Sequence, residues 1–500
     1  VTRRERIGTA ALACALAAPL LACRGREPTA RGAGSLLRIG QLTSGVTLDP
    51  HRHDSYYTNV TLGQIYEKLV TLGADLELQP ELAERWENPS ERVWRFHLRR
   101  GVVFHDGSPF GADDVIASLR RAQRPDSHIR HYLQAVAEVR KVDDATVDVV
   151  TNRPAPVLLN DLVFVMIVPK GTGAAPIETP VGTGPYAFLS GGPGGTIVLR
   201  RFDRWRGARP AFDSVSIVPV ADAANRASAI AAGRVDVVAQ FPAESFMRAK
   251  DDPSVNLVSR PGLAVDFLAF SVAKGSPFAD VRVRRAISLA VDKDELVRSA
   301  LLGLGARADQ IVPASVFGFS GSLAPPARDV AAARKLLADA GASDLSAELV
   351  LSQRVESVGR AVARQLAEAG VTLTPRVLTQ GQFYERFSKE AIPLALHSYA
   401  ASTGDAGNSL AAMLHTRTEE SGTFNLSSYS NALLDHLIER ADQELDPASR
   451  RSTLESAMRL VADEVPVVPL VVRNDLYAIR KDLAWRPAAF RLRAIDVGRP

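Results

Sequence analysis

The stretch VWRFHLRRGVVFHDGSPFGADDVIASLRR, residues 93–121, holds in one passage both kinds of element from which the fold is built. Trp94, Phe96 and Leu98 alternate with Arg95, His97 and Arg99. Successive side chains of a strand point to opposite faces, so this alternation predicts a strand with one buried face. Asp106-Gly107 marks a turn. GADDVIASLRRA then reads as a short helix. Asp113 and Asp114 stand in its first turn and Arg120 and Arg121 in its last, each charge suiting its end of the helix dipole.

The same patterns recur outward in both directions. LLRIGQ, with Leu37 and Ile39 alternating, predicts a strand. NVTLGQIYEKLVTLG spaces Val60, Ile65, Leu69 and Val70 close to a helical period. ATVDVVTNR (145–153) and GTIVLRRFDRW (195–205) read as strands, and ANRASAIAAGRVDVV (224–238) as helix then strand with Gly233 at the helix end. LAVDFLAFS (263–271) is apolar enough for a central strand. ARDVAAARKLLADAG is a helix with Asp329 as N-cap and Gly341 just past its end, and Asp446-Pro447 opens another. VPVVPLVVRN (465–474) carries two prolines, which predicts an edge or terminal strand. Strands and helices interleave, so the fold class is α/β. A chain of 500 residues exceeds the size at which one core stops growing, so more than one lobe is expected.

The net charge of +4 is small for this length and there is no basic block, so nucleic acid is not implied as a partner. The chain has two cysteines. Arg3, Arg4 and Arg6 precede an apolar run that ends at Ala22, the layout of a secretory signal and too short for a membrane span. Leu20-Leu21-Ala22-Cys23 resembles a bacterial lipobox, which implies acylation of Cys23 after removal of residues 1–22. Residues 23–35, polar and rich in Gly and Arg, read as a flexible tether.

Several stretches, in order, resemble the solute-binding proteins of peptide and nickel ABC importers. They are IYEKLVTLGADLELQPELAERWE, the passage at 93–121, VGTGPY, RRFDRWRG, FLAFSVAKGSPFADVRVRRAISLAVDKDELV and AARKLLADAG. The resemblance runs from Leu37 to Trp485. It implies a two-lobed periplasmic-binding-protein fold (type II) with an extra subdomain in lobe one. Lobe one would hold residues 36–262 and recover 475–500; lobe two would hold 263–474. It implies a non-enzymatic, monomeric receptor without cofactor that captures a small solute, a peptide first, for an ABC permease and its ATPase. Residence in the periplasm on a lipid anchor follows from Cys23. A non-peptide solute (sugar, opine or metal chelate) is the alternative, and a metal-dependent hydrolase the alternative of another class.

In relatives that take peptides, a segment resembling W-x-x-D-x-x-D-P supplies an acid for the peptide's amino group. Here the matching stretch is YAASTGDAGNSLAAML (399–414). Tyr399 stands for the tryptophan. If Asp405 matches the second acid, Ser402 replaces the first and has no charge to offer; if Thr403-Gly404-Asp405 matches the first, Asp405 keeps the salt bridge. Asn408 completes the candidate set on this segment. Tyr56 and Tyr57 lie where relatives approach the ligand and suit stacking or hydrogen bonding. His51 and His53, two apart, suggest a metal site with Asp54 or His105. Exposed loop histidines are the stronger reading, and no metal is expected. Gly182-Thr183-Gly184-Pro185 reads as a rigid turn and not a dinucleotide loop, since no acid follows in a βαβ unit. Arg282, Arg284 and Arg285 crowd a helix start, against its dipole; a solvated face is the default reading, buried pairing with an acid the alternative, and no ligand role is assigned.

Overall fold

A computed structural model describes residues 35–324, 326–485 and 492–499. The signal, Cys23 and nearly all of the tether lie outside the described residues. An eleven-stranded sheet runs through the molecule. Its order is Thr372–Leu378, Ser346–Ser352, Leu394–Ala400, Val255–Phe270, Val467–Arg480, Val237–Ala239, Leu36–Gln41, Ser214–Pro219, Ile197–Arg201, Tyr186–Ser190. Gly305–Arg307 pairs with Val467–Arg480 off this path.

The two long strands, 16 and 14 residues, lie antiparallel at the middle and join everything on one side to everything on the other. Their pairing breaks between Pro261 and Val265. A Cβ at Gly262 would stand 2.4 Å from the Arg473 carbonyl oxygen, so the close approach there requires glycine. The fold is thus two-lobed and α/β. The proline expectation for 465–474 holds locally: among the described residues Val467–Pro469 pairs only with Val255–Phe270, Gly305–Arg307 joins at Val471–Arg473, and Val237–Ala239 pairs further on, at Tyr477–Ile479. Pro469 is tolerated because it faces Phe267 where the register shifts.

A separate four-stranded sheet is formed by Ala83–Ser90, Val93–Leu98, Thr146–Thr151 and Val136–Asp143. Phe96 and Leu98 are buried as the alternation required, and Arg95 points the other way and pairs twice with Asp148 at 2.7 and 2.8 Å. The helix Ala112–Ala122 packs on this sheet through Val115 and Leu119. Each such side chain, fully buried, contributes about 1.5–3 kcal/mol.

The helix expected across 59–73 is shorter. It spans Tyr56–Leu62, stops at Gly63, and the chain turns into a strand at Val70–Leu72. The apolar residues beyond Gly63 serve two different elements, and their spacing only imitated one helix. The expected capping holds at Asp329 and Asp446, whose side chains accept from Ala332 and Ser449 backbone N–H groups. Of the three arginines at that helix start, Arg282 pairs with Asp280 at 2.6 Å, Arg285 donates to the Asp463 carbonyl, and Arg284 is buried and donates to the carbonyls of Phe278, Ala279, Glu464 and Val465.

Candidate functional site

In open α/β sheets ligands bind beyond the carboxyl ends of parallel strands. Both halves of the long sheet send such ends toward one region. On one side Leu36–Gln41 and Val237–Ala239 run parallel, and the chain after the latter reaches Gln240. Gln240 holds a left-handed φ of 52°, a conformation that costs a non-glycine residue about 1–3 kcal/mol. Its side-chain oxygen accepts a hydrogen bond from the Tyr57 hydroxyl. Tyr56 stands edge-on to Tyr57, centroids 5.4 Å apart, and its hydroxyl bonds with that of Tyr477. On the other side Ser346–Ser352 runs parallel to Leu394–Ala400. The first ends in a 3₁₀ turn, Gln353–Val355, that presents Arg354; the second carries Tyr399.

Arg354 is exposed and makes no hydrogen bond or ion pair among the described residues. Its charge is felt by Tyr57 and Asp475 from one half, and by Tyr384 and His397 from the other. It therefore stands between the halves. The wall behind it is aromatic. His397 stacks on Phe383 (4.9 Å, 9°), and Phe424 meets Tyr384 and Tyr399 edge-on at 6.1 and 5.5 Å. Burial, then the Arg354 charge, lowers the His397 pKa to about 4, so the ring is neutral. Burial, with Asp54 and Tyr384, pushes the Tyr399 hydroxyl up to about 12. At the far side Tyr132 stacks on Phe164 (4.6 Å) and donates to Asp54, which also lies 3.5 Å from His131. Burial raises the Asp475 carboxyl, with Arg260 and Arg354 opposing the shift. The arrangement is an exposed cation near the Tyr57 and Tyr384 phenols, with Asp54 and Asp475 at the margins and no nucleophile–base pair among the described residues.

Of the residues singled out in the sequence, the structure brings Tyr56, Tyr57 and Tyr399 around this region. Ser402 is half-buried in the turn that follows, its N–H on Ala400 O at 2.8 Å. Asp405 must be corrected. Its oxygens accept from Arg450 at 2.6 and 2.9 Å and from the Gly407 N–H at 2.7 Å, capping the helix Ala406–Met413. A carboxylate so engaged has no place for a solute ammonium. Thr403 and Asn408 meet the other half of the molecule. The Thr403 carbonyl accepts from Asn160 at 2.8 Å, and Asn408 donates to Asp161 at 2.9 Å. Arg354, Tyr384, His397 and Asp475 were missed. Nothing in LSQRVES marks its arginine out from any surface arginine; only the strand end beneath it does.

The histidine reading also changes. His51 and His53 are not exposed but 1% and 2% accessible. His51 bonds to the Met166 carbonyl (2.8 Å) and to Arg121 (3.1 Å), and His105 to the Gly184 carbonyl (2.9 Å). They are structural, and no group of three His, Cys, Asp or Glu among the described residues is placed to hold a metal.

A sequence model of the family described as bacterial extracellular solute-binding proteins, family 5, middle region, matches residues 77–421. The chain belongs to that family. It is a solute-binding protein of ABC importers, extracytoplasmic and not an enzyme. It is 28% identical over 456 residues, 87% of this chain and 89% of the other, to the glutathione-binding protein GsiB of Salmonella choleraesuis (strain SC-B67). It superposes on MoaA of A. tumefaciens R10, solved with mannopinic acid, with TM-score 0.79 and 26% identity, covering 93% of this chain and 100% of that one. DppA of Helicobacter pylori, solved with the peptide STSA, has TM-score 0.79 at 21% identity, covering 93% and 98%, a likeness of fold alone. No helix among the described residues is long and apolar enough to cross a membrane.

Proposed function

We propose that this chain is a monomeric lipoprotein, anchored by Cys23, that captures short peptides bearing a carboxylate and delivers them to an ABC permease. Arg354 carries this reading: an exposed guanidinium with no protein partner among the described residues, close enough to Tyr57 on one half and Tyr384 on the other to influence both. Guanidinium meets carboxylate in a two-point geometry no other side chain offers. The aromatic wall suits apolar side chains of varied shape. Lobe one, residues 36–262 with 475–500, and lobe two, 263–474, would hinge where the pairing of the two long strands breaks. Closure would desolvate the Arg354–carboxylate contact and strengthen it. Likeness to a glutathione-binding protein supports a small peptide.

A second reading, an opine, is favoured by one observation. Asp405 is consumed by Arg450 and Ser402 is uncharged, so the 399–408 segment has no acid to spare for an α-ammonium. Isothermal titration with glutathione, di- and tripeptides and mannopinic acid separates the two. Arg354→Gln should weaken the best of them by about ten- to a hundredfold, the worth of a hydrogen-bonded charge contact, 1.5–3 kcal/mol. Tight binding of an uncharged sugar, unaffected by that substitution, would sink both.

A further inference from the structure

The halves of the molecule also touch away from Arg354. Asn160 donates to the Thr403 carbonyl at 2.8 Å. Arg153 donates twice to Asp442, at 2.6 and 3.1 Å, and Asn408 donates to Asp161 at 2.9 Å. Arg153, Asn160 and Asp161 sit on and just before the helix Leu158–Leu162, beside the four-stranded sheet. Thr403, Asn408 and Asp442 sit on and around the helices Ala406–Met413 and Ala432–Ala441, on the other side of the long strands. Leu76 packs against the cores of both sides.

Two features of this contact point the same way. Its charges do not balance. Asp161, Asp405 and Asp442 lie close enough to influence one another, with Arg153 and Arg450 the cations among them. Arg450 is taken by Asp405 and Arg153 by Asp442, which leaves Asp161 facing a neutral amide. The hydrogen bonds do not balance either. Asn408 Oδ1 is buried and accepts nothing. An ionised carboxylate has no hydrogen to give it, whereas a protonated one has an O–H. A carboxylic acid against a primary amide makes two hydrogen bonds, N–H to one carboxyl oxygen and O–H to the amide oxygen.

We propose that this contact is a proton-coupled clasp: closing the lobes seats Asp161 on Asn408 as a neutral acid, taking one proton from solvent, and opening returns it. The clasp rests on the two-lobed closing motion and not on the identity of the solute. Burial raises the Asp161 carboxyl well above the ordinary range; Asp442 and Asp405 add to the shift, and Asn408 and Arg450 oppose it. Tyr132, on the same side, feels the same charge. Because the closed form holds its proton to higher pH than the open form, it binds more protons between an ordinary carboxyl pKa near 4 and the raised value. Closing is therefore favoured as pH falls through that window, by up to about tenfold per pH unit for one proton.

The test needs no solute. A fluorophore pair, one dye on each side of the long strands of the full chain, reads the ratio of closed to open molecules from about pH 8 to about pH 5. The ratio should rise on acidification. Asp161→Asn, whose amide can pair with Asn408 uncharged, should close equally at every pH. Asn408→Asp should keep the lobes apart at neutral pH and restore a steeper closing in acid. A flat wild-type profile overturns the clasp. So does a slope that survives in Asp161→Asn, which would place the proton on the Asp54–His131 pair. Absence of any closing at either pH, even with glutathione, would remove the motion itself and with it the reading under Proposed function.

Discussion

Replacing Asp405 separates a structural acid from a binding one. The Arg450–Asp405 pair is buried on both sides, with side chains 5% and 4% exposed. It joins three pieces of chain. Asp405 caps the helix Ala406–Met413, Arg450 lies on Pro447–Glu464 and donates to the Ala441 carbonyl, and Phe317 lies under the guanidinium at 5.3 Å. Removing one partner of a buried pair costs about 3–5 kcal/mol, because the other charge is stranded. Losing the cap adds about 1 kcal/mol. Asp405→Ala should therefore lose both, about 4–6 kcal/mol. Asp405→Asn keeps a good cap and loses only the charge, about 3 kcal/mol. Unfolding entropy near 2.1 cal/mol/K per residue gives about 1 kcal/mol/K for a chain of this size unfolding together, so Tm should drop by about 4–6 °C and about 3 °C. Calorimetry on the solute-free protein measures this. Adding Arg450→Met to Asp405→Ala should recover most of the charge cost, since apolar replacements of buried pairs are near neutral. Refutation is specific: if Asp405→Asn leaves the solute-free Tm unchanged but abolishes peptide binding, Asp405 is an ammonium anchor and the ion pair is incidental.

Three further outcomes are expected. Gly184→Ala should destabilise strongly, because the new Cβ would lie 2.7 Å from the carbonyl oxygens of Gln64 and Ile65, backbone atoms that cannot swing aside; urea unfolding measures it, and a loss under about 1 kcal/mol would contradict the packing. Burial lowers the pKa of His51, His53, His105 and His397 to about 4. The unfolded chain takes up these protons below about pH 6.5 and the folded one does not, so stability should fall between pH 6.5 and 4 by about 1.4 kcal/mol per pH unit for each ring; equal urea midpoints at both ends of that window would refute it. Labelled palmitate should enter the wild-type protein in its host and not Cys23→Ala, and equal labelling of the two would remove the lipid anchor.

Much of the fold was legible because it is written locally. The alternation at 94–98 and the caps at Asp329 and Asp446 each involve neighbours in sequence, and each holds. The errors came where distant chain decides. Val60, Ile65, Leu69 and Val70 kept a helical spacing by chance, since Gly63 ends one element and a strand partner at Leu78–Pro80 draws Val70–Leu72 into another. His51 read as an exposed loop residue because it follows Pro50; the residues it bonds to, Arg121 and Met166, are 70 and 115 positions away. The site followed the same rule. The tyrosines were visible as residue types, whereas Asp405 drew attention as a free acid until Arg450, 45 residues later, claimed it.

That claim bears on what the cleft can select. Asp405 is held by Arg450, Asp442 by Arg153, Asp266 by Arg473 and Asp236 by Arg38 and Arg480. Each of these acids spends its charge on the framework, and all but Asp442 are essentially inaccessible. Arg354 is treated in the opposite way: it stands exposed at a strand end, where Asp475 tempers its field without pairing. With these four acids committed and Arg354 unpaired, the proposed site favours an anion, and the acids at its margins are Asp54, bonded to Tyr132, and Asp475. An inserted carboxylate would meet Arg354 without first breaking a protein ion pair, so little of the contact energy goes to separating charges already joined. A peptide whose ammonium sought Asp405 would have to displace Arg450 from a buried pair, at about 3–5 kcal/mol. On the proposed reading, the order of those two costs, and not the presence of an Asp in the 399–408 segment, would make the carboxylate end of the solute the one recognised first.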